Sequence, residues 1–331
     1  MADYVETGDI YFFYRPKVNA ENVQSLDDVQ RLHVVLIPDD AQNARLFVVG
    51  KKRMPEIVKG KSKSTQREWM MNDMTGKPKD IGEALAPMEY ETKTRGEQEQ
   101  GEAIPAGEGR YAIFERDSSS RLAYRLSSPE KPGKAQNELG ILSEASYVIS
   151  VRNPAIDVPG FPHSKPNYPK RLQEKFADKR WIDIDDGKLL DYENAQFLMI
   201  GAHDDLSEEG VRISGKANLF KTLGLKKREW PTDALEAGKL AEPQMQAEIT
   251  EPKGDRSKGG ERGGKAASGT ASAAGVTKAL KGVDFPCTKT DLVKQAKANQ
   301  AAEEVIEVVN ELPGRRYATM ADVQRALGEI R

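Results

Sequence analysis

The sequence predicts a mainly β N-terminal domain, folded as an antiparallel barrel or sandwich, followed by a small all-α C-terminal bundle. Short β-branched and aromatic runs recur through residues 1–205, a Gly-rich stretch occupies 247–275, and amphipathic helical patterns fill 276–331. Residues 206–246 are expected to form a mixed tail with short helices. The length of 331 residues agrees with roughly two domains of ~150 residues.

The strands predicted within residues 1–205 are short, and turn-forming residues bound them. The residues between the second and third strands have the composition of a hairpin loop. No long helical pattern alternates with these runs, which argues against a doubly wound α/β sheet. In chain order the predicted strands are 10–14, 32–37, 45–49, 110–114, 122–126, 146–151, 181–184 and 196–200.

Other segments of this domain are expected to be helical or irregular. Residues 64–74 and 168–179 carry short helical patterns, and in the second Leu172 and Phe176 share one face. The segment 154–169 holds five prolines. Because proline disrupts both a helix and a central strand, we expect an extended loop there.

Residues 247–275 are predicted to be a disordered linker. From 251 to 275 there is no Ile, Leu, Val, Met or aromatic residue, and seven glycines are present. A chain of this composition cannot bury enough apolar surface to offset the conformational entropy lost on folding.

Residues 276–331 are predicted to form about three or four short amphipathic helices, which must pack together because each alone is marginal. Two Thr-x-x-Asp sequences, beginning at Thr288 and Thr319, are variants of the capping box found at helix starts. Apolar residues then recur at the spacing of one helix face. They are Val305, Val308, Val309 and Leu312 in one helix and Val323, Ala326, Leu327 and Ile330 in the next.

Several motifs in this region resemble those of a known family. They are Leu280-Lys281-Gly282-Val283-Asp284-Phe285-Pro286, Lys289-x-Asp291-Leu292-Val293, Leu312-Pro313-x-Arg315-x-Tyr317 and Asp322-Val323. Over about residues 276–331 the chain resembles the small bacterial domain-of-unknown-function family numbered 2795. The resemblance implies a compact helical module in a bacterial protein, and it brings no activity, cofactor or catalytic residue. Cys287 and Gly314 depart from the usual pattern, and residues 1–205 resemble no characterised family.

Composition limits the classes of protein. The 50 Lys and Arg against 52 Asp and Glu give a net charge of −2, which excludes a histone-like protein. No apolar run approaches the ~20 residues of a membrane span, and the first residues do not resemble a secretory signal. Cys287 is the only cysteine. The dipole at a predicted helix start would lower its thiol pKa, but a nucleophile needs a base and all histidines lie in the other domain, so we expect a small core or cap-adjacent residue. We expect a cytoplasmic protein without a membrane segment or a cofactor.

Candidate catalytic chemistry is sparse. Gly201-Ala-His203-Asp204-Asp205 follows a predicted strand and resembles the opening of zinc-dependent N-deacetylases, in which a His and an Asp ligate zinc and another Asp is the base. A catalytic zinc needs three protein ligands, and no histidine follows His203. The acids at 183–186 do not keep the order of a calcium loop and favour a hairpin turn. The sequence therefore favours a protein without catalytic activity and without a metal ligand set.

Two basic stretches are the most informative charge feature. Residues 51–67 hold seven Lys and Arg against one acid, and 165–180 hold six against two. Trp69 and Trp181 follow these stretches in sequence. Basic residues near a tryptophan suit nucleic-acid binding, in which the cations contact phosphates and the rings stack on bases. The other interpretation is that both stretches are solvated loops whose charge is balanced by acidic loops. The candidate anion-binding residues are Lys51, Lys52, Arg53, Lys61, Lys63, Lys170 and Arg171.

These observations favour a non-catalytic interaction or scaffold protein with an unidentified protein partner, because two dissimilar domains flank a flexible linker and no catalytic set converges. Nucleic-acid or polyanion binding through 51–67 and 165–180 is one alternative. A zinc-dependent hydrolase with its site at His203, Asp204 and Asp205 is another. Because the two basic stretches are far apart in sequence, we expect them on different faces of the domain.

Overall fold

The computed structural model describes residues 3–18, 23–58, 63–92, 96–241, 279–280, 283, 287–299, 301, 305–306, 309–310, 312, 316–317, 323 and 326. For Ser64, 88–92, 96–99 and Arg316 it gives the backbone alone. The chain divides into two compact units, Met1–Ile249 and Thr250–Arg331. The predicted linker at 247–275 lies outside the described residues.

The first unit contains mainly strands. They are β1 (Asp3–Pro16), β2 (Val29–Pro38), β3 (Ala44–Val49), β4 (Arg67–Gly76), β5 (Met88–Thr92), β6 (Gly96–Gln100), β7 (Ile104–Arg116), β8 (Ser119–Ser128), β9 (Glu144–Arg152), β10 (Trp181–Ile182) and β11 (Gln196–His203). The helices are α1 (Pro78–Leu85), α2 (Lys134–Leu139), α3 (Lys170–Glu174), α4 (Leu219–Thr222) and α5 (Asp233–Ala237). Short 3-10 helices span Leu26–Asp28, Ser64–Gln66, Gly187–Leu190 and Lys227–Glu229.

Eight of the described strands close into an antiparallel barrel. Neighbouring strands are hydrogen-bonded in the order β9, β11, β4, β3, β2, β1, β7, β8, and β8 pairs back with β9. The short β10 adds to β9, while β5 and β6 form a separate hairpin. The predicted antiparallel β domain is confirmed, and of its two predicted forms it adopts the barrel.

Alternate residues of each strand fill the barrel interior, because successive side chains of a strand point to opposite faces. On β1, Ile10, Phe12 and Tyr14 join the interior cluster, whereas Tyr11 and Phe13 join a cluster on the outer surface. Burial of each large side chain contributes about 1.5–3 kcal/mol to stability. Other large interior side chains are Phe47, Tyr111, Tyr124, Tyr147 and Phe197.

Residues 206–241 cover parts of the outer surface of the barrel. Trp230 contacts Phe13 with 6.3 Å between ring centroids. The Tyr14 hydroxyl donates to the Ala241 carbonyl at 3.1 Å and accepts from the Ala241 N–H at 2.8 Å, which fixes the end of this segment. A separate apolar group lies against β7 and β8 and consists of Leu206, Val211 and Ile213.

The helix predicted at 64–74 is wrong, because most of this segment is strand β4. Met70 is buried in the interior cluster, and Trp69 is on the opposite, outer side. Pairing with β3 and β11 satisfies the backbone on both edges of β4, and this tertiary context outweighs a weak helical pattern. The helix predicted at 168–179 is present in part, as α3.

The C-terminal unit contains helix α6 (Lys289–Ala298) and a two-residue pairing of β12 (Cys287–Thr288) with β13 (Arg316–Tyr317). The predicted capping box is confirmed: the Asp291 N–H donates to Thr288 Oγ1 at 3.4 Å, and the Thr288 N–H donates to Asp291 Oδ2 at 2.8 Å. The second predicted cap, at Thr319, lies outside the described residues. The described core of this unit consists of Ala279, Leu280, Cys287, Leu292, Ala296, Val309, Leu312, Tyr317, Val323 and Ala326.

Candidate interaction surface

The outer side of β4, β11 and β9 carries partly exposed apolar and aromatic side chains, and we call this surface, together with Phe161 and Trp181, the aromatic face. Strand register places Leu198 of β11 between Trp69 of β4 and Ser150 of β9. The next outward row places Ile200 between Arg67 and Val148. Among the described residues, Trp69, Leu198 and Ile200 belong to none of the clusters of buried apolar side chains, whereas on the outer side of β1 and β2 such a cluster includes residues of α1 and α4.

Three aromatic rings meet on this face. The Phe161 ring lies 6.3 Å from the Trp69 ring and 5.2 Å from the Trp181 ring, with interplanar angles of 41° and 62°. All three side chains are partly exposed. Trp69 also packs over Gly50, where an added Cβ would lie 2.5 Å from the Trp69 ring, so only glycine fits beneath it. The fold thus joins two tryptophans that are far apart in sequence.

Arg152 positions the loop that carries Phe161. This loop corresponds to the predicted extended segment at 154–169, and contacts of Ser164 with Met71 and Gln196 place it over the outer side of β4 and β11. The Arg152 guanidinium donates to the carbonyls of Ile156 at 3.1 Å and Pro162 at 2.8 Å, and to Gln196 Oε1 at 2.6 Å. It also lies 5.9 Å from the Phe161 ring centroid, within cation–π range. Burial lowers the pKa of Arg152, while Asp157 opposes that shift.

The first basic stretch lies at one end of the aromatic face. Lys51 Nζ is 3.6 Å from Glu68 Oε2 and donates to the Arg67 carbonyl at 3.3 Å. Burial raises the pKa of the Glu68 carboxyl, which Lys51 partly counteracts. Arg67 is exposed and shares the outer side of β4 with Trp69. Lys51 and Arg67 are therefore available to an anion beside the aromatic rings.

The other candidates in this stretch are held differently. Lys52 has a left-handed backbone, with φ of 64°, and its Nζ donates to the Val29 carbonyl at 2.7 Å. Arg53 Nη1 is 3.8 Å from Glu56 Oε1. Lys63 is exposed, whereas Lys61 lies outside the described residues. Lys52 is consequently turned toward the start of β2, away from the tryptophans.

The second basic stretch divides between two places. Lys170 pairs with Glu174 at 3.7 Å, and Arg171 pairs with Asp186 at 3.6 Å. The carbonyl of Gly187, next to Asp186, accepts from Arg45 at 3.1 Å. Asp186 is therefore near the start of β3, whereas Lys51 follows the end of β3. Lys170 and Arg171 therefore lie at the opposite end of the barrel from Lys51. The exposed Lys179 and Arg180 instead lead directly into Trp181.

The residues considered for catalysis do not converge on a reactive centre. His203 Nδ1 lies 2.8 Å from Glu208 Oε2, and Asp205 Oδ1 accepts from the Ser207 N–H at 2.8 Å. Among the residues that the structure describes, no group of three His, Cys, Asp or Glu is placed to hold a metal ion. Cys287 is buried in the apolar core of the C-terminal unit, and burial together with Asp291 raises its pKa, although a helix start alone would lower it.

Sequence reasoning missed Phe161 and Arg152 as members of this surface. Both lie beside or within the proline-rich segment, which the composition identifies as a loop without showing what it covers. A phenylalanine between prolines is a weak signal of an exposed aromatic contact. The pairing of Trp181 with Arg152 depends on β10, and a two-residue strand leaves almost no periodic pattern in a sequence.

Comparison with known proteins gives one match. Residues 271–324 match the model of a family described as a protein of unknown function (DUF2795). This confirms the resemblance carried by the C-terminal motifs. No curated protein and no solved structure matches the chain. Within the described residues, no helix is long and apolar enough to cross a membrane.

Proposed function

We propose that the chain is a non-catalytic interaction protein and that its barrel binds single-stranded nucleic acid on the aromatic face. The observation that carries the proposal is the meeting of Trp69, Phe161 and Trp181 on one partly exposed surface. Every base has a flat π face, and stacking on an aromatic side chain contributes about 1–3 kcal/mol per base. Such stacking tolerates any sequence, so no strong sequence preference is expected.

Exposed cations flank the rings on two sides and suit a phosphate backbone. Lys51 and Arg67 stand beside Trp69, and Lys179 and Arg180 stand before Trp181. The chain is nearly neutral overall, with a net charge of −2, so attraction of an anionic strand depends on this local arrangement. Double-stranded nucleic acid keeps its bases stacked on one another, which leaves no free base face for these rings. We therefore expect single strands to bind more tightly than duplexes.

We expect the double variant Trp69→Ala/Trp181→Ala to bind a labelled poly-dT oligonucleotide at least tenfold more weakly than the unaltered chain, measured by fluorescence anisotropy. The loss of one stacked base alone is about 1–3 kcal/mol, and about 1.4 kcal/mol corresponds to a tenfold change. Affinity of the unaltered chain is expected to fall as salt rises from ~50 to ~200 mM, because phosphate contacts release counterions.

Two variants control this experiment. Tyr4→Ala removes an aromatic ring that is 49% exposed outside the aromatic face, and it should leave the affinity unchanged. Arg67→Glu reverses an exposed charge without removing a ring, and it should weaken binding and flatten its salt dependence. Binding no tighter than ~10⁻⁴ M at low salt would exclude the proposal. Equal affinity of the tryptophan double variant would exclude it too. Preferential binding of poly-glutamate over the oligonucleotide would instead indicate an acidic protein partner.

A further inference from the structure

A second feature of the barrel lies farther along β4 than Trp69, with its basic residues on β1 and β2, and the inference drawn from it is independent of nucleic-acid binding. On the outer side of β1 to β4, beside α1 and β6, there is a cavity of about 640 Å³. Its polar lining includes Arg15, Arg31, His33 and Gln100, with Asp73 and Glu193 also present. Arg15, His33 and Gln100 are buried, whereas Arg31, Asp73 and Glu193 are exposed. Arg15 and His33 therefore reach deeper into the cavity than the carboxylates do, whereas Arg31 lies at its rim with them.

Strand pairing brings the basic side chains together. In the register of β1 with β2, Arg15 lies directly opposite Arg31, and Phe13 lies opposite His33. His33 is two residues from Arg31 on the same strand, so all three basic side chains share the outer side. Like charges directly opposite each other across a sheet are destabilising. An anion that binds between Arg15 and Arg31 would reduce this repulsion and stabilise the fold.

His33 is a buried polar side chain without a partner. Its side chain is 4% exposed, and neither Nδ1 nor Nε2 makes a hydrogen bond with any residue that the structure describes. Burying a polar group without a hydrogen bond is costly, and such a group calls for an explanation such as a ligand. A neutral imidazole offers one N–H donor and one acceptor nitrogen. His33 therefore has a donor available for a group in the cavity.

Arg15 is a buried cation without a carboxylate partner. It is 5% exposed, and its Nη1 and Nη2 donate to the carbonyls of Gly101 at 2.9 Å and Ala84 at 3.0 Å. These two contacts fix the plane of the guanidinium but do not neutralise it. In the part of the chain that the structure describes, Arg15 forms no ion pair. Burial and the nearby charge of Arg31 lower the pKa of Arg15, while the charges of Glu102 and Asp73 oppose that shift.

We propose that this cavity binds a small organic anion whose carboxylate or phosphate head group lies among Arg15, Arg31 and His33. The two guanidinium groups supply charge and charge-assisted hydrogen bonds, and the imidazole supplies one further donor. Asp73 and Glu193 favour a ligand whose remainder carries hydroxyl or ammonium groups over one with a second anionic group. The volume of about 640 Å³ accommodates a metabolite-sized molecule rather than a bare ion.

The test follows the His33 imidazole by NMR in the full ¹⁵N-labelled chain while sodium acetate or inorganic phosphate is added. A saturable shift with either probe is expected, and the tighter probe identifies the head group. In Arg15→Met/Arg31→Met the same probe should bind at least about tenfold more weakly. If that chain fails to fold, Arg31→Met alone is the second variant, because Arg31 is exposed and its replacement leaves the core intact. This variant should bind the same probe at least about threefold more weakly. Arg171→Met, in the ion pair with Asp186, is the matched control and should bind as the unaltered chain does.

Three outcomes overturn the proposal. The first is no saturable shift with either probe below ~10 mM. The second is a shift that the arginine variants weaken by less than the stated factors. The third is equal weakening in Arg171→Met, which would indicate a general charge effect. Because the cavity variants leave the aromatic face intact, they should bind the oligonucleotide as the unaltered chain does, and failure of one proposal is thereby distinguished from failure of the other.

Discussion

Replacement of Arg45 by methionine is expected to lower the free energy of unfolding by about 3–5 kcal/mol, because it leaves a buried carboxylate without its partner. The Arg45 side chain is 3% exposed, and the Glu6 side chain it pairs with is 11% exposed. Their contacts measure 2.7 and 3.1 Å, and Asp191 adds a third at 2.6 Å. Burial alone would lower the pKa of Arg45. Glu6 and its acidic neighbours outweigh this effect and raise the pKa of Arg45.

This cluster ties distant segments to one end of the barrel. Besides its carboxylate partners, Arg45 donates to the Gly187 carbonyl at 3.1 Å, and the Tyr111 hydroxyl donates to Glu6 at 2.8 Å. The contacts thus join β1, β3, β7 and the turn that precedes β11. Methionine approximates the length of the arginine side chain and lacks its charge, so the variant isolates the loss of the ion pairs.

Urea unfolding followed by tryptophan fluorescence measures this effect. Lys79→Met is the matched control, because Lys79 pairs with Glu83 at 3.5 Å where both side chains are largely exposed. Exposed pairs of this kind contribute only about 0–1 kcal/mol. A loss below about 1 kcal/mol in Arg45→Met would contradict the expected cost of an unpaired buried carboxylate.

The sequence predicts the strand-rich character of the domain well and the limits of its elements less well. The aromatic run at 10–14 is the apolar centre of β1, which spans Asp3–Pro16. The polar first half of β1 becomes a strand because β7 pairs with it from Asp3 onward, and β2 joins on the other side from Gly8. The acids at 183–186, predicted as a hairpin turn, instead lead into the 3-10 helix Gly187–Leu190, where Asp186 caps the first turn. Local composition does not contain these tertiary causes.

The two candidate sites depend on register, which is why the sequence predicts them only in part. Trp69 and Trp181 stand out in the sequence as aromatic residues near basic stretches, but their contact requires Phe161 between them. The cavity carries no sequence signal. Arg15 follows an aromatic run and His33 lies within an apolar one, and their relation appears only when β1 pairs with β2 so that Phe13 faces His33. A shift of one residue in that pairing would place the two side chains on opposite faces.

Acid is expected to destabilise the barrel through His33, and His33→Leu is expected to remove that component. Burial, together with the charges of Arg15 and Arg31, lowers the pKa of His33 from 6.5 to about 3. In the unfolded chain the imidazole titrates near its ordinary pKa of about 6.5. Between these values the unfolded state holds a proton that the folded state does not. Stability therefore falls as pH decreases from about 6.5 toward 3, with a slope of at most about 1.4 kcal/mol per pH unit, and it is unaffected by His33 above that range.

The measurement compares urea unfolding of the unaltered chain and His33→Leu from pH 8 down to about pH 4. Other groups titrate in both proteins, so the difference between the two curves isolates His33. At pH 8 the variant is expected to be more stable by about 1–3 kcal/mol, because leucine removes a buried imidazole that has no hydrogen bond. The difference should widen as pH falls through 6 and 5.

A variant that loses stability at neutral pH, or a difference in stability that is independent of pH, would show that His33 serves the packing of the barrel. A gain in stability that accompanies weaker acetate or phosphate binding, measured by isothermal titration calorimetry because the variant lacks the imidazole that NMR follows, would instead show that the fold keeps this histidine for a ligand at the expense of its own stability.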